Sequence, residues 1–304
     1  ILPYSQSSVS HAVGVLADFP LVGSGVPYAD CGQIFAIGCL NVEEHRGLNL
    51  DGVDMTGKAV IRYVRKSCHR ALCPRCWGDW ANREGINAKK RLDSFVLKNR
   101  AGNRMKPIHV AVSVSVADYS LDLKALRKKA YRVLKRVRCV GGMMVFHSKR
   151  FDKARGWYFS PHFHVIGYGW IQDVHRNYVA SGWIVRNLGV RKNVKATIYY
   201  QLSHASVSEK FHVITWFGLL AYNKLHVKRV VPKPLVCPLC GKRLRKLVWI
   251  GDAENFLGLL HEDVSSGFYF EDASGWSYAK DRSVSYEYEA EGMDVGAYWR
   301  GEDV

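Results

Sequence analysis

The most regular hydrophobic pattern in the chain is a strict alternation over residues 108–116. Apolar residues occupy every second position there, namely Ile108, Val110, Val112, Val114 and Val116. The intervening positions hold His109, Ala111, Ser113 and Ser115. A period of two places alternate side chains on opposite faces, so this segment is predicted to be a half-buried β-strand.

The next segment changes to a helical period. Leu123, Leu126, Ala130, Val133 and Val137 share one face, while lysines and arginines fill the other. Ser120 is the predicted N-cap, and a Gly-Gly pair at 141–142 ends the pattern.

Further strands are predicted at 143–147, 160–168 and 211–217, with a short extra strand at 183–188 and a helix at 193–206. The order strand, helix, strand, strand, helix, strand is typical of a ferredoxin-like split βαβ arrangement. The predicted fold is therefore α+β: a ferredoxin-like, RRM-like core whose antiparallel sheet carries helices on one face.

Five segments are expected along the chain. Residues 1–57 form an N-terminal lead-in, and 58–104 form a zinc-binding module with a basic helix near 79–97. The core spans 105–230, followed by a CxxC zinc knuckle at 231–250 and an acidic segment at 251–304 that is a tail or small terminal element.

Charge narrows the class of partner. The net charge is +17, yet residues 251–304 contain 13 acidic and 3 basic residues, which leaves +27 on residues 1–250. Such a basic body favours nucleic acid as its partner, although a merely soluble basic surface fits the same charge. No apolar stretch is long enough for a membrane span, so a cytoplasmic, DNA-associated protein is expected.

Candidate metal chemistry begins with the sequence Ser160-Pro161-His162-Phe163-His164. On a strand, His162 and His164 point to the same face, where two imidazoles can chelate one divalent ion. If the neighbouring strand pairs with this one as a hairpin, His147 reaches the same face. Three imidazoles leave open positions for water or a phosphate oxygen, and either Mn²⁺ or Mg²⁺ is expected to serve. A solvated strand face is the alternative.

A tyrosine pair lies on the predicted helix at 193–206. Tyr200 and His204 are four residues apart and share a helix face. A phenol is a suitable nucleophile towards a phosphodiester, because phenoxide can also leave again. Tyr200 is the predicted nucleophile and Tyr199 the alternative. His204 is expected to orient the phenol, complete the metal site or pack.

With these motifs in order, the chain resembles the HUH endonucleases, in particular the rolling-circle replication initiators of archaeal plasmids and viruses. The strand at 108–116 resembles the first family motif, His162-Phe163-His164 the histidine–hydrophobic–histidine motif, and Tyr200 the catalytic tyrosine. A histidine upstream of the pair is a ligand in related plasmid initiators, and His147 fits that place. The adjacent spacing of Tyr199 and Tyr200 differs from two-tyrosine members of the family.

The resemblance implies an activity and its partners. It implies a nickase and strand transferase that cuts single-stranded DNA at a replication origin through a 5′-phosphotyrosine link, then passes a primer to the host replication machinery. A transposase or mobilisation relaxase is the alternative within the same chemistry. A zinc-containing nucleic-acid-binding protein without catalysis is the alternative from another class.

The cysteines indicate structural zinc. One cluster comprises Cys68, Cys73 and Cys76, with a fourth ligand expected from Cys39, His45 or His69. The pair Cys237 and Cys240 forms a second half-site, for which Cys31 and a histidine such as His226 are the candidate further ligands, so one or two Zn²⁺ ions are expected. Cys139 ends a helical pattern and is predicted to be buried.

Basic residues near these modules are candidates for contacts with DNA phosphates, which give affinity and not sequence choice. The predicted set is Arg65, Lys66, Arg70, Arg75, Lys89, Lys90, Arg91, Arg191, Lys192 and Lys195.

Overall fold

The computed structural model describes residues 19–50, 52–154, 156–227, 234–251 and 267–279. They belong to two compact units that each combine two stretches of chain. Unit 1 is Ile1–Pro27 with Cys68–Arg229, and unit 2 is Tyr28–Ser67 with Val230–Val304. The predicted segments 1–57 and 58–104 are thus each divided between the units. Within the described ranges, no helix combines the length and apolar character needed to cross a bilayer.

The described helices and strands follow one another from Ile34 to Tyr278. The strands are β1 (Ile34–Cys39), β2 (Asn49–Leu50), β3 (Val53–Asp54), β4 (Lys58–Arg65), β5 (Ile108–Ser113), β6 (Cys139–Asp152), β7 (Gly156–Gly169), β8 (Ile184–Val190), β9 (Ile214–Gly218), β10 (Arg245–Trp249), β11 (Tyr269–Asp272) and β12 (Trp276–Tyr278). The α-helices are α1 (Val42–His45), α2 (Trp77–Ser94), α3 (Leu123–Arg136), α4 (Val174–Ser181) and α5 (Val194–Ser203).

Unit 1 contains a sheet with the strand order β8-β5-β7-β6-β9, in which all neighbours are antiparallel. The strand predicted from alternation is β5, which ends at Ser113 because Val116–Asp118 forms a 3₁₀ turn. The segment expected as a short extra strand is β8, and it pairs along β5. The strand predicted at 211–217 is β9, which lies at the edge beside β6.

The predicted placement of helices on one face was wrong. On one face, α3 buries Leu126, Val133 and Leu134 against alternate residues of β5, β6 and β7. On the other face, α2 and α5 cover Met143, Val145, Ile166 and Tyr168. The strands are therefore apolar on the second face too. Burying each large side chain stabilises the fold by roughly 1.5–3 kcal/mol, and a second layer of helices provides that burial.

The N-cap of α3 also differs from the prediction. The carboxylate of Asp122 accepts a hydrogen bond from the Ala125 backbone N–H at 2.7 Å, whereas Ser120 lies outside the helix. Both residue types are good caps, and the position of the first helical turn decides between them.

Unit 2 contains a second antiparallel sheet with the strand order β11-β4-β1-β10-β12. Its core includes Ile61, Tyr63, Leu247 and Trp276. The described part of the acidic segment therefore supplies two strands, β11 and β12, to this sheet. Residues 1–18, 51, 155, 228–233, 252–266 and 280–304 of the predicted segments lie outside the described residues.

Candidate metal and nucleophile site

Three histidines meet on the central strands of the unit 1 sheet. His147 of β6 pairs directly with His162 of β7, and His164 follows two positions later on the same face. Their ring centroids lie 4.8–5.1 Å apart. One donor atom from each residue falls within 4.8 Å of the other two, so this histidine group could hold a metal ion.

Hydrogen bonds fix which ring nitrogen His162 can offer. Its Nδ1 lies 2.7 Å from the Ser160 carbonyl oxygen. A carbonyl only accepts, so Nδ1 carries the proton and donates, which leaves the Nε2 lone pair free for a ligand bond. A backbone carbonyl in this role is a common way for proteins to orient a metal-binding imidazole.

His147 is the most unusual member of the histidine group. The residue is 1% exposed, and neither ring nitrogen has a hydrogen-bond partner among the described residues. Buried polar atoms are rarely left without a partner, because each one loses its bonds to water. A metal ion on one of these nitrogens would remove that cost, so the residues present fit a bound ion.

Burial keeps all three imidazoles neutral. It lowers the pKa of His162 to about 3 and that of His164 to about 2, and it holds the pKa of His147 well below its usual range. The neighbouring rings act in the same direction on the pKa of His147, while the Gln201 backbone acts in the opposite direction. Neutral imidazole is the form that binds metals.

Helix α5 brings a tyrosine to the same side of the sheet. It begins after Asn193, whose side chain accepts from the Ala196 N–H at 3.0 Å. Tyr200 is 65% exposed, and its ring lies 4.8 Å from that of His204. The His204 ring in turn lies 4.5 Å from that of His147. His204 therefore stands between the exposed phenol and the histidine group.

The two candidate tyrosines occupy different environments. Tyr199 is partly buried in the core formed with α2, with its ring 6.4 Å from that of Trp77. A residue packed in this way is less free to attack a phosphate than Tyr200. Burial lowers the pKa of His204, whose donor atoms lie outside the group of three. That placement favours an orienting or packing role for His204.

Sequence reasoning missed His109 as part of the site. It is 5% exposed on β5, and its Nε2 lies 2.8 Å from Nδ1 of His164. If His164 gives Nε2 to a metal, its Nδ1–H donates to His109. The signal was present in the sequence, since His109 alternates with the valines of β5 and so lies on the face opposite the α3 core.

Unit 2 contains a second candidate metal site, which we call the Cys/His group. It combines Cys39, His45, Cys237 and Cys240. Sγ atoms of Cys39 and Cys240 lie 3.6 Å apart, and Cys237 Sγ lies 3.4 Å from His45 Nε2. The Lys58 carbonyl, 2.9 Å from His45 Nδ1, orients the ring. Three thiolates and one imidazole are a complete donor set for structural zinc.

The predicted ligand sets need correction here. Cys39 was expected with the cluster at 68–76, and Cys31 and His226 were expected beside the knuckle. Cys39 and His45 complete the knuckle instead, because β1 pairs with β10 just beyond Cys240 and α1 follows β1. That strand pairing joins distant parts of the chain, and local spacing does not reveal it.

A cysteine-only group that could hold zinc includes Cys68, Cys73 and Cys76 of unit 1. The Cys76 N–H donates to the Cys73 carbonyl at 3.2 Å, which forms the tight turn expected of a zinc knuckle. His69, an expected fourth ligand, is not in this group. Cys139 is buried, as predicted, and burial raises the pKa of its thiol to about 12.

The predicted DNA-contacting residues lie in both units, and they differ in how exposed they are to solvent. Arg65 and Lys66 are exposed in unit 2, where Lys66 pairs with Asp30. The predicted residues of unit 1 that are exposed or half-buried are Arg70, Arg75, Lys89, Lys90, Arg191, Lys192 and Lys195.

Arg91 does not belong in the predicted DNA-contacting set. It is 7% exposed and donates to the carbonyl oxygens of Leu220 and Leu225 at 2.9 and 2.6 Å. Its guanidinium also lies over the rings of Trp216 and Tyr222. Arg91 is therefore part of the internal packing, and its place on the buried face of α2 explains why.

Comparison of the chain with protein-family models, with curated proteins and with solved structures finds no match.

Proposed function

We propose that this protein is a metal-dependent tyrosine endonuclease of the HUH type, which nicks single-stranded DNA to initiate rolling-circle replication. The observation that carries the proposal is one arrangement in unit 1. A histidine group with a buried, unpartnered His147 faces the same side of the sheet as the exposed phenol of Tyr200. His204 links the two through ring contacts.

The topology of unit 1 supports the same proposal. Strand β7 lies between β5 and β6, and β5 lies between β7 and β8. With α3 following β5 and α4 following β7, this is the order of two interleaved split βαβ units, as in a ferredoxin-like core. On this view β9, α5 and α2 are additions that supply the tyrosine and cover the second face.

The donor set limits the choice of ion. His147, His162 and His164 would hold the ion, and the described residues add no carboxylate to them. Imidazoles accept Mn²⁺ well and Mg²⁺ less well. When bound, a divalent ion would draw charge from the scissile phosphate and favour nucleophilic attack.

The nucleophile of the proposed reaction is a side chain of the protein itself. The Tyr200 oxygen attacks phosphorus, a new P–O bond forms, and the bond from phosphorus to the 3′ oxygen breaks. The 3′ oxygen takes up a proton, and the phenol proton passes to water, to which Tyr200 is open. The products are a 5′-phosphotyrosine link and a free 3′-hydroxyl that a host polymerase can extend.

The partner proposed for unit 1 is single-stranded DNA at a replication origin. The charge of +17 and the exposed lysines and arginines give the electrostatic attraction such a partner needs. Exposed aromatic residues, Trp157 and Trp170 among them, offer surfaces on which bases can stack. The site of action is then plasmid or viral DNA in the cytoplasm.

The test is a search for the covalent adduct. The protein is incubated with a labelled single-stranded origin oligonucleotide and Mn²⁺, and the products are separated on a denaturing gel. We expect a shifted species that is lost in Tyr200→Phe and retained in the matched control Tyr199→Phe. Loss in Tyr199→Phe alone would move the nucleophile by one residue.

Other outcomes separate the remaining functions. Cleavage without an adduct would indicate a metal hydrolase, and DNA binding without cleavage would indicate a zinc-containing binding protein. Strand joining between transposon ends or at a transfer origin, with no activity at a replication origin, would indicate a transposase or a mobilisation relaxase.

A further inference from the structure

Arg150 is a positively charged residue beside the histidine group, and the proposed reaction does not use it. It lies on β6, three residues after His147, and its Nη2 donates to the Ser113 hydroxyl at 2.7 Å. Ser113 of β5 pairs directly with His162 of β7. The guanidinium therefore lies on the same face as the histidines, one strand from His162.

A β-bulge in β7 lies beside Arg150. In a regular strand, residues three apart point to opposite faces, so Arg150 would face away from His147. The pairing steps from His147 with His162 to Lys149 with Phe159, so the extra residue lies in β7, at Ser160–Pro161, opposite Ser148. The Ser148 backbone N–H, opposite the bulge, donates to the Ser206 hydroxyl at 2.7 Å. Bulges often re-aim side chains next to active sites.

The guanidinium has no carboxylate partner among the described residues. Its Nε is buried and makes no hydrogen bond there either. Two other arginines of unit 1 differ, since Arg70 lies within 4 Å of an acidic oxygen of Glu209 and Arg138 within 4 Å of one of Asp173. A half-buried guanidinium with a spare donor and no counter-charge is suited to an anionic ligand.

The charge of Arg150 is felt by the histidines. After burial, it is the next largest cause that lowers the pKa of His162, and it also acts on His164. Neutral imidazoles contribute no negative charge to balance it. A divalent ion on the same face would increase the local positive charge, which further favours an anion.

We propose that Arg150 forms an oxyanion subsite that binds a non-bridging oxygen of the DNA phosphodiester lying over the histidine group. The proposal deepens the proposed nuclease function and rests on it. The spare guanidinium N–H groups would donate to the phosphate, while Ser113 holds the other edge of the fork. A planar fork of donors matches phosphate geometry better than an ammonium does.

Inorganic phosphate is the probe, so the test is independent of DNA sequence and of cleavage. Phosphate is titrated into protein loaded with Mn²⁺, and the paramagnetic broadening of its ³¹P resonance gives the affinity. Arg150→Gln should weaken phosphate binding about tenfold or more, as expected for loss of a charge-assisted hydrogen bond. Arg150→Lys should recover only part of it.

Arg132→Gln is the matched control, because Arg132 is exposed on α3, on the opposite side of the sheet. This variant loses the same charge and should bind phosphate like the original protein. Melting curves and Mn²⁺ affinity of each variant show whether the fold and the ion site are intact. If Arg150→Gln has a lowered melting temperature, the subsite is tested by comparing the phosphate affinity of Arg150→Lys with that of the original protein.

Two results would overturn the subsite. One is phosphate binding that is equal in Arg150→Gln, Arg150→Lys and the original protein, and the other is no phosphate binding by the Mn²⁺-loaded protein. In either case a covalent adduct would still uphold the proposed nuclease. Arg150-dependent phosphate binding without any adduct would support the subsite and count against the nuclease.

Discussion

The histidine group of unit 1 and the Cys/His group of unit 2 use similar residues to different ends. The histidine group offers three neutral donors and faces an exposed phenol beyond His204. The Cys/His group offers four donors, three of them thiols. Catalytic metal sites keep a position open, whereas structural zinc sites are closed by four protein ligands. The donor count thus agrees with the proposed chemistry in unit 1 and with a structural zinc site in unit 2.

The largest expected effect concerns the Cys/His group. Cys237→Ser should remove one zinc equivalent and unfold unit 2, because structural zinc contributes on the order of 10 kcal/mol in small zinc domains. Metal content by elemental analysis and the melting curve of the full chain measure this. Cys139→Ala, which removes a buried thiol of unit 1 outside all three candidate metal groups, should leave the zinc content unchanged. Unchanged zinc in Cys237→Ser would contradict the assignment.

The next effect concerns catalysis. His147→Ala should lower the rate of adduct formation by roughly a thousandfold, since a bound ion supplies several kcal/mol of charge stabilisation. Timed denaturing gels at saturating Mn²⁺ give the rate. His175→Ala, at an exposed position of α4, is the control and should keep the original rate. If His147→Ala keeps the original rate as well, the histidine group is not the catalytic site.

A smaller effect separates packing from DNA contact. Arg91→Gln should lower the unfolding free energy of unit 1 by about 2–3 kcal/mol, because hydrogen bonds from a charged group to buried carbonyls are lost. Chemical denaturation measures the change. Lys89→Gln, on the exposed side of the same helix, should change stability by less than about 0.5 kcal/mol. Equal effects of the two substitutions would mean that Arg91 is not a packing residue.

The smallest expected effect tests His109 as a positioning residue. His109→Phe should weaken Mn²⁺ binding by about 10–100-fold, as is common when the hydrogen-bond partner of a ligating imidazole is removed. His109→Gln keeps a polar partner for His164 and should restore part of the affinity. Nitrogen-15 NMR of the His164 ring reports which ring nitrogen carries the proton. We expect this protonation pattern to change only in the phenylalanine variant. An unaltered tautomer and affinity in His109→Phe would exclude the role.

The parts that sequence predicted well are those set by local periodicity. Alternation in β5 and β7 put His162 and His164 on one face, and a hairpin was enough to add His147. Helical spacing located α3 and α5 to within a few residues. In each case the pattern depends on neighbours in the chain.

The features that could not be predicted from the sequence depend on contacts between residues far apart in the chain. Cys39 and His45 join Cys237 and Cys240, and not the cluster at 68–76, because β1 pairs with β10. The second layer of helices forms because α2 packs against α5. The bulge in β7 opposite Ser148 is a further example, because only the register between two strands defines it, and the Arg150 guanidinium lies beside it on the histidine face. Alternation counted from His147 would have put Arg150 on the wrong side.

The spacing of the Cys/His group has a consequence for biosynthesis. Cys39 and Cys240 are 201 positions apart, and all of the chain from Cys68 to Arg229 belongs to unit 1. A ribosome therefore releases the whole of that insert before the last thiol emerges. Unit 1 can fold first, since its long segment is continuous, while three of the five strands of the unit 2 sheet are still to be synthesised. Zinc capture is thus expected late, as the step that closes a very long loop.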